Sequence, residues 1–277
     1  MRATSNPDFI EALARGLDVI RGFGTVHRQM TLTEVAEAAG LARPTARRVL
    51  ITLAELGYVR AEGGSFTLTT RVLELGMAYV ASSNLWDLTR PHLRDLVAET
   101  RESCSIAQLD GSDIVYVARV AVPKLVTLSV TVGTRFPAAV TSLGKVLLAS
   151  LPQEALEDVL ATPSRSGVTP AAEPSRADLE RELREIRARG WAVTDQQLAT
   201  AVRSVAAPIR NGDGVVVAAV NVNAHALETS LEVLVDEHLP RLLRTASAIS
   251  ADWALWDSRP VDESGRPNLV AATPAQP

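Results

Sequence analysis

Cysteine is nearly missing from this chain: Cys104 is the only one among 277 residues. That excludes an internal disulfide framework and any cysteine-rich zinc site, and it fits a reducing compartment. Lysine is almost as scarce. Only Lys124 and Lys145 occur, so arginine carries the positive charge. The histidines (His27, His92, His225, His238) are scattered without metal-ligand spacing, and neither a metal nor a cofactor is expected. No apolar run approaches the roughly 18 residues that a membrane-spanning helix needs. The opening stretch MRATSNPDFIEALARGL lacks the continuous apolar core of a signal peptide. A soluble cytoplasmic protein is therefore expected. The H-E-x-x-H and G-x-S-x-G signatures are absent, and the Gly-Lys pair of TSLGKVLL lacks the upstream glycine of a phosphate cradle. Cys104 has no histidine nearby in sequence and reads as a buried inert thiol, with redox sensing as the alternative. No enzyme is expected.

What is present is an ordinary globular balance, 47% hydrophobic and 22% charged, at a length that suits two domains. The formal net charge is -4, yet residues 1–60 hold eight arginines against six acids. Phe9, Leu13, Leu17 and Ile20 make a helical stripe that Gly22 and Gly24 stop. Thr31 and Glu34 have capping-box spacing, with Thr33 as an alternative N-cap. The short helix that follows ends at Gly40. Pro44 suits the first turn of the next helix, where its missing N–H costs nothing. Ala46, Val49, Leu50, Leu53 and Leu56 form its buried stripe, and Gly57 caps it. Tyr58–Arg60, AEGG and SFTLT read as strand, turn and strand. The sum is a winged helix-turn-helix over residues 1–68. Its second helix belongs in the major groove, with the N-terminal residues nearest the bases. Arg43, Pro44, Thr45, Arg47 and Arg48 sit there. Of Arg47 and Arg48, one is assigned to a base and the other to a phosphate, in an order left open. Thr33, at a helix N-terminus, suits a phosphate. The wing tip at Gly63, Gly64 and Ser65 can approach the DNA backbone or minor groove. The competing reading is that these arginines merely solvate a helix face. Double-stranded operator DNA, read by a dimer, is the implied partner.

Residues 69–84 form a helical linker through Val72, Leu75, Gly76 and Tyr79. Residues 85–101 read as a helix. Beyond it, strands flank Asp110-Gly111, and KLVTLSVTVG (124–133) reads as a further strand. TSLGKVLLASLP and PQEALEDVLA are helical, and SRADLERELREIRARG is an amphipathic helix ending at Gly190. VRSVAAPIRNGDGVVVAAVNVNA is a hairpin, and LEVLVDEHLPRLLRTASAISADWAL a closing helix. Residues 85–256 thus make an α+β domain with a largely antiparallel sheet, and 257–277 a Pro-rich disordered tail. Thr141 or Ser142 can cap the SLGK helix, whose first amides favour a carboxylate, while Gly144 permits close backbone approach. Alternation puts Val217, Ala219, Asn221 and Asn223 on one strand face. The two amides there suit a phenol or carboxylate, unless that face meets solvent. Arg119, Arg135 and Arg203 are candidate counter-charges, and the sequence leaves open which points inward. His225 reads as surface and Trp191 as core.

The pieces RGLDVIRGFG…LTEVAEAAGLARPTARRVLITLAELGYV, FPAAVTSLGKVLLA, RGWAVTDQQLATAVRSVAAPI and GVVVAAVNVNAHA together resemble the IclR family of bacterial transcription regulators along nearly the whole chain. TSLGKVLLA with VRSVAAPI and AAVNV looks most like the subgroup that senses aromatic acids of the β-ketoadipate pathway, such as protocatechuate or 4-hydroxybenzoate. The resemblance implies a GAF-like effector-binding domain and dimers through the DNA-binding domain and linker helix, often paired into tetramers. The family's ligand-contacting positions fall on Ser142, Leu143, Thr194, Val202, Ser204, Asn221 and Asn223, and Arg203 is counted with them. Leu143 and Val202 also fit plain core. Where members that bind small keto acids carry aspartate, cysteine or serines, this chain departs, so glyoxylate is not expected. The usual glutamate pair after GWAV is Gln196-Gln197 here, and the usual glycine before VRS is Ala201.

Overall fold

The computed structural model describes residues 7–24, 28–76, 85–123 and 130–258. Contacts divide the chain into two units, residues 1–83 and 84–277.

The first unit is a winged fold built on the three helices α1 to α3. Helix α1 (Glu11–Gly22) leads to the two-residue strand β1 (Met30–Thr31), α2 (Leu32–Ala38), α3 (Arg43–Glu55), β2 (Val59–Glu62) and β3 (Ser65–Leu68). Thr31 is the N-cap of α2, and the capping box with Glu34 is complete. Thr33 lies inside the first turn instead. Both helices of the helix-turn-helix end in the same device. Gly40 and Gly57 take positive φ, and the amides beyond them return to the last turn (Leu41 N to Ala36 O at 2.8 Å, Tyr58 N to Leu53 O at 2.8 Å). These are Schellman endings, which satisfy carbonyls the helix leaves open. Val19, Met30, Val35, Leu50, Leu53 and Val59 form the core. Leu56, expected in the buried stripe, is 53% exposed, because the chain turns away at Gly57 before a neighbour covers it. The wing is a two-residue hairpin, with Glu62 opposite Ser65 and positive φ at both Gly63 and Gly64, the primed turn that matches strand twist. Of the linker, Thr70–Val72 is a 3-10 turn capped by Thr69, residues 73–76 are helical, and 77–84 lie outside the described residues.

The second unit is a sheet between two helical layers. Helix α4 (Leu85–Thr100) precedes the hairpin β4 (Ser103–Asp110) and β5 (Asp113–Val120), which turns at Gly111-Ser112, one residue later than expected. Then come β6 (Arg135–Pro137), α5 (Ser142–Ala149), α6 (Gln153–Ala161), α7 (Arg176–Arg189), β7 (Ala192–Asp195), β8 (Val202–Arg210) and β9 (Val216–His225). A π-helical turn (Val233–His238) runs into α8 (Leu239–Asp257). Pro240 has no N–H to donate, and the Leu239 amide bonds Leu234 O across the wider turn. The strand expected over 124–133 falls mostly outside the described residues. Its described end, 130–133, is irregular and turn, and the short β6 that follows was not expected. The tail from 259 on also lies outside them.

The strands are antiparallel in the order β6-β5-β4-β9-β8-β7. Alternation assigns their faces. Ile106, Val205, Ala207, Val220 and Val222 meet Leu93, Leu96, Leu242 and Ile249 of α4 and α8. Ala107, Ala206, Ala219 and Tyr116 meet Leu143, Leu147, Leu183 and Ile186 of α5 and α7. Two irregularities break the alternation. In β9, Ile209 pairs with Ala218 but Arg210 with Val216, so Val217 is a bulge and packs on the α4–α8 side, not beside Ala219 as expected. The other lies in β5. Ile106 pairs with Ala118 but Ala107 with Tyr116, so Val117 is a bulge. The extra residue turns Tyr116 and Arg119 to the same face, which an unbroken strand would separate.

Candidate functional site

Two constellations stand out, one in each unit. In the first, α3 begins without a side-chain cap, with Arg43 and Pro44 in its first two positions. The buried side of α3 is Ala46, Leu50 and Leu53. Arg43, Pro44, Arg47, Arg48 and Thr52 are exposed, and Thr45 is half-buried. Helical geometry separates the arginines: Arg43 and Arg47 share one flank, and Arg48 shares the other with Thr45 and Thr52. None of these arginines pairs with a carboxylate among the described residues. An unpaired guanidinium keeps its full donor fork for a phosphate or a guanine edge. Thr33 stands half-buried in the first turn of α2, and Gly64 of the wing has open space around it.

The second constellation lies on the α5 side of the six-stranded sheet. Thr141 caps α5, accepting from Gly144 N at 3.0 Å. Ser142 is therefore left to face the sheet, and its hydroxyl lies 2.6 Å from that of Ser204. Thr194 is 3.1 Å from the same Ser204 hydroxyl. The first-turn amides of Ser142 and Leu143 have no intrahelical acceptor. Gly144 does permit close approach, but to the chain itself: an added Cβ would meet Ala138 O at 2.2 Å. Cross-strand pairing lines up two rows on this face. One runs Arg119, Ser105, Asn221, Ala206 and Ala192; the other runs Ser103, Asn223, Ser204 and Thr194. Asn221 is 2% exposed and accepts Ser105 N at 3.2 Å, so it is not a solvent-facing strand residue. Asn223 is half-buried beside it. Leu143 is wholly buried in the apolar cluster and Val202 is half-buried.

Arg203 does not join them. Alternation turns it to the other face, where it donates to Asp195 at 3.0 Å and to the Thr229 carbonyl at 2.9 Å. Arg135 is likewise committed, to Asp110 at 2.6 Å and Asp113 at 3.3 Å. Arg119 is different. It donates to Ser105 Oγ at 3.0 Å, and its buried Nε has no partner. Burial lowers its pKa from the usual arginine value, while Tyr116 and Cys104 nearby pull it back up. Ser103, Ser105 and Tyr116 were not singled out in the sequence. The two serines alternate with Cys104, a period-two signal that was there to be read.

Beneath the site lies Lys145, wholly buried, with its ammonium 2.6 Å from Glu182 of α7 and 2.6 Å from the Gln197 amide oxygen. Burial lowers its pKa and Glu182 opposes that shift. Gln196, at positive φ, closes the 195–201 loop by accepting Ala201 N at 3.0 Å. His225 caps its own turn through Leu227 N at 3.3 Å. Trp191 is partly buried against the α4–α8 layer, with Arg189 stacked 4.0 Å above its ring. Burial pushes the Cys104 thiol up to about 12; a protonated, enclosed thiol is a poor nucleophile and redox sensor. Among the described residues no group of acids, histidines and cysteines is placed to hold a metal, and no helix is long and apolar enough to cross a membrane.

Comparison with known proteins now decides the family. Residues 12–63 match the IclR helix-turn-helix domain, and residues 77–251 match the bacterial transcriptional regulator IclR C-terminal domain. The chain belongs to the IclR family. Among family relatives, the Pca regulon regulatory protein of Pseudomonas putida is 36% identical over 87% of this chain and 83% of its own length. The p-hydroxybenzoate hydroxylase transcriptional activator of Acinetobacter baylyi is 32% identical over 87% of this chain and 91% of its own. The solved structure of a transcriptional regulator from Rhodococcus sp. RHA1 shares 46% identity with a TM-score of 0.76, over 89% of this chain and 99% of that one. IclR relatives are transcriptional regulators, and this chain has their two-part build.

Proposed function

We propose that this chain is an operator-binding regulator that responds to a small aromatic carboxylate of the protocatechuate and 4-hydroxybenzoate class. One observation carries the sensing half. In an otherwise apolar layer, the sheet face that packs on α5 carries Ser105, Asn221, Ser204 and Thr194, and Ser204 meets Ser142 at the amide end of that helix. These groups bond one another here, and their hydroxyls and amide can turn the same donors and acceptors to a ligand; the relatives that regulate aromatic catabolism favour an aromatic partner. Ser142, Leu143, Thr194, Val202, Ser204, Asn221 and Asn223 are assigned to the effector. Arg43, Pro44, Thr45, Arg47, Arg48, Thr33 and Gly64 are assigned to DNA, the partner that unpaired exposed arginines on a second helix fit.

The working assembly is a homodimer in the cytoplasm, with a tetramer of paired dimers as the alternative. The exposed apolar side chains of Ile10, just ahead of α1, and of Leu13 and Leu17 within it support a contact between copies. Residues 69–84 link the two domains and carry the signal. An effector acts through unequal affinity for two arrangements of the reading heads, and coupling of this kind typically changes operator affinity about 5- to 150-fold. Mobility shift with genomic operator fragments, with and without each acid, tests the coupling. Calorimetry and thermal shift test the pocket. Neither heat nor thermal shift with any aromatic acid at millimolar concentration rejects the aromatic reading.

A further inference from the structure

We propose that Arg119 is the carboxylate receptor of the sensor site, the residue that makes it select an acid over its neutral analogue. The inference rests on the effector reading above and names the group that gives it charge specificity.

Three facts place Arg119 there. First, the bulge at Val117 rotates it onto the α5 face, in register with Ser105 and Asn221. Without that extra residue the guanidinium would sit on the face that α4 and α8 cover. Second, its Nη1 reaches Ser105 Oγ at 3.0 Å, so the head group lies beside the polar row. Third, it is unspent. Its buried Nε has no partner, and no carboxylate pairs with it among the described residues. The other candidate cations of this unit are occupied: Arg135 by Asp110 and Asp113, Arg203 by Asp195, and Lys145 by Glu182. A part-buried arginine without a counter-ion costs stability unless something arrives to neutralise it. The planar fork matches a carboxylate in two-point fashion. Tyr116, 3% exposed, edge-on to Phe136 at 5.8 Å and turned to the same face by the same bulge, supplies an aromatic surface on that face.

The test is calorimetry on the full chain with 4-hydroxybenzoate and protocatechuate, each against its neutral primary amide. The unsubstituted chain is expected to prefer acid to amide. Arg119→Gln is expected to lose about 10- to 100-fold in affinity for the acid, as befits a charged hydrogen bond, while the amide changes less than about threefold. Arg119→Lys keeps the charge without the fork and is expected to fall between. A folded Arg119→Gln that binds acid unchanged, or that loses acid and amide equally, overturns the assignment and leaves the effector reading standing. Should the glutamine variant fail to fold, the unsubstituted chain still decides: equal affinity for acid and amide overturns it. Failure of the unsubstituted chain to bind any acid removes both readings together.

Discussion

Arginine does opposite work on α3 of the winged unit and in the sensor unit. In the winged unit, Arg43, Arg47 and Arg48 stand exposed on α3 with no acidic partner among the described residues. In the sensor unit Arg135, Arg176, Arg181, Arg203 and Arg241 all pair with acids. The contrast explains how a chain of net charge -4 can hold nucleic acid. What attracts a phosphate is local unneutralised charge, not the total. It also singles out Arg119, half-buried in the sensor with a buried Nε that has no partner, as an arginine that calls for one.

The comparison can be broken by treating both classes of arginine alike. The largest effect is expected from Arg47→Ala with Arg48→Ala, which should cost on the order of 100-fold or more in operator affinity at fixed salt, since one good base contact is worth about 1–3 kcal/mol. Effector affinity should not move. A gel-shift titration that finds operator affinity intact would end the assignment of α3 to DNA. Arg135→Met should do the reverse. It strips a cation from Asp113, which is 1% exposed. The loss should be about 2 kcal/mol of sensor stability, less than the 3–5 of a fully buried pair, because Ser164 and the Arg165 amide still donate to Asp113. Thermal unfolding measures this, and operator affinity of the folded fraction should be unchanged. The smallest effect belongs to Arg176→Ala. Arg176 pairs with Glu157 and Glu180 at the surface, so the stability change should stay within about 0.5 kcal/mol. A drop several times larger would show that surface pairing in this unit matters more than its exposure implies.

The winged unit was readable because its boundaries are chemical. Thr31 with Glu34, Pro44, Gly57 and the Gly63-Gly64 turn each have a local cause, and each sits where that cause puts it. Leu56 was misread because helical period alone cannot say where a neighbour ends. In the sensor, alternation placed Ala219, Asn221 and Asn223 on one face correctly, but not Val217, which a bulge turns to the other. The same rule applied to β8 separates Arg203 from Ser204, which its grouping with the effector positions overlooked. Arg119 was beyond the reach of pattern. Its facing depends on one inserted residue at Val117, and nothing in DIVYVARV announces a bulge. Nor does composition reveal that Lys145 spends its charge on Glu182, 37 positions away.

Gly144 sets a dimension of the sensor by what it omits. With hydrogen in place of a methyl group, the first turn of α5 settles directly onto Ala138. The Ser142 hydroxyl consequently comes down within reach of the sheet. Any larger residue would act as a shim, prising the helix upward and parting the Ser142 and Ser204 hydroxyls.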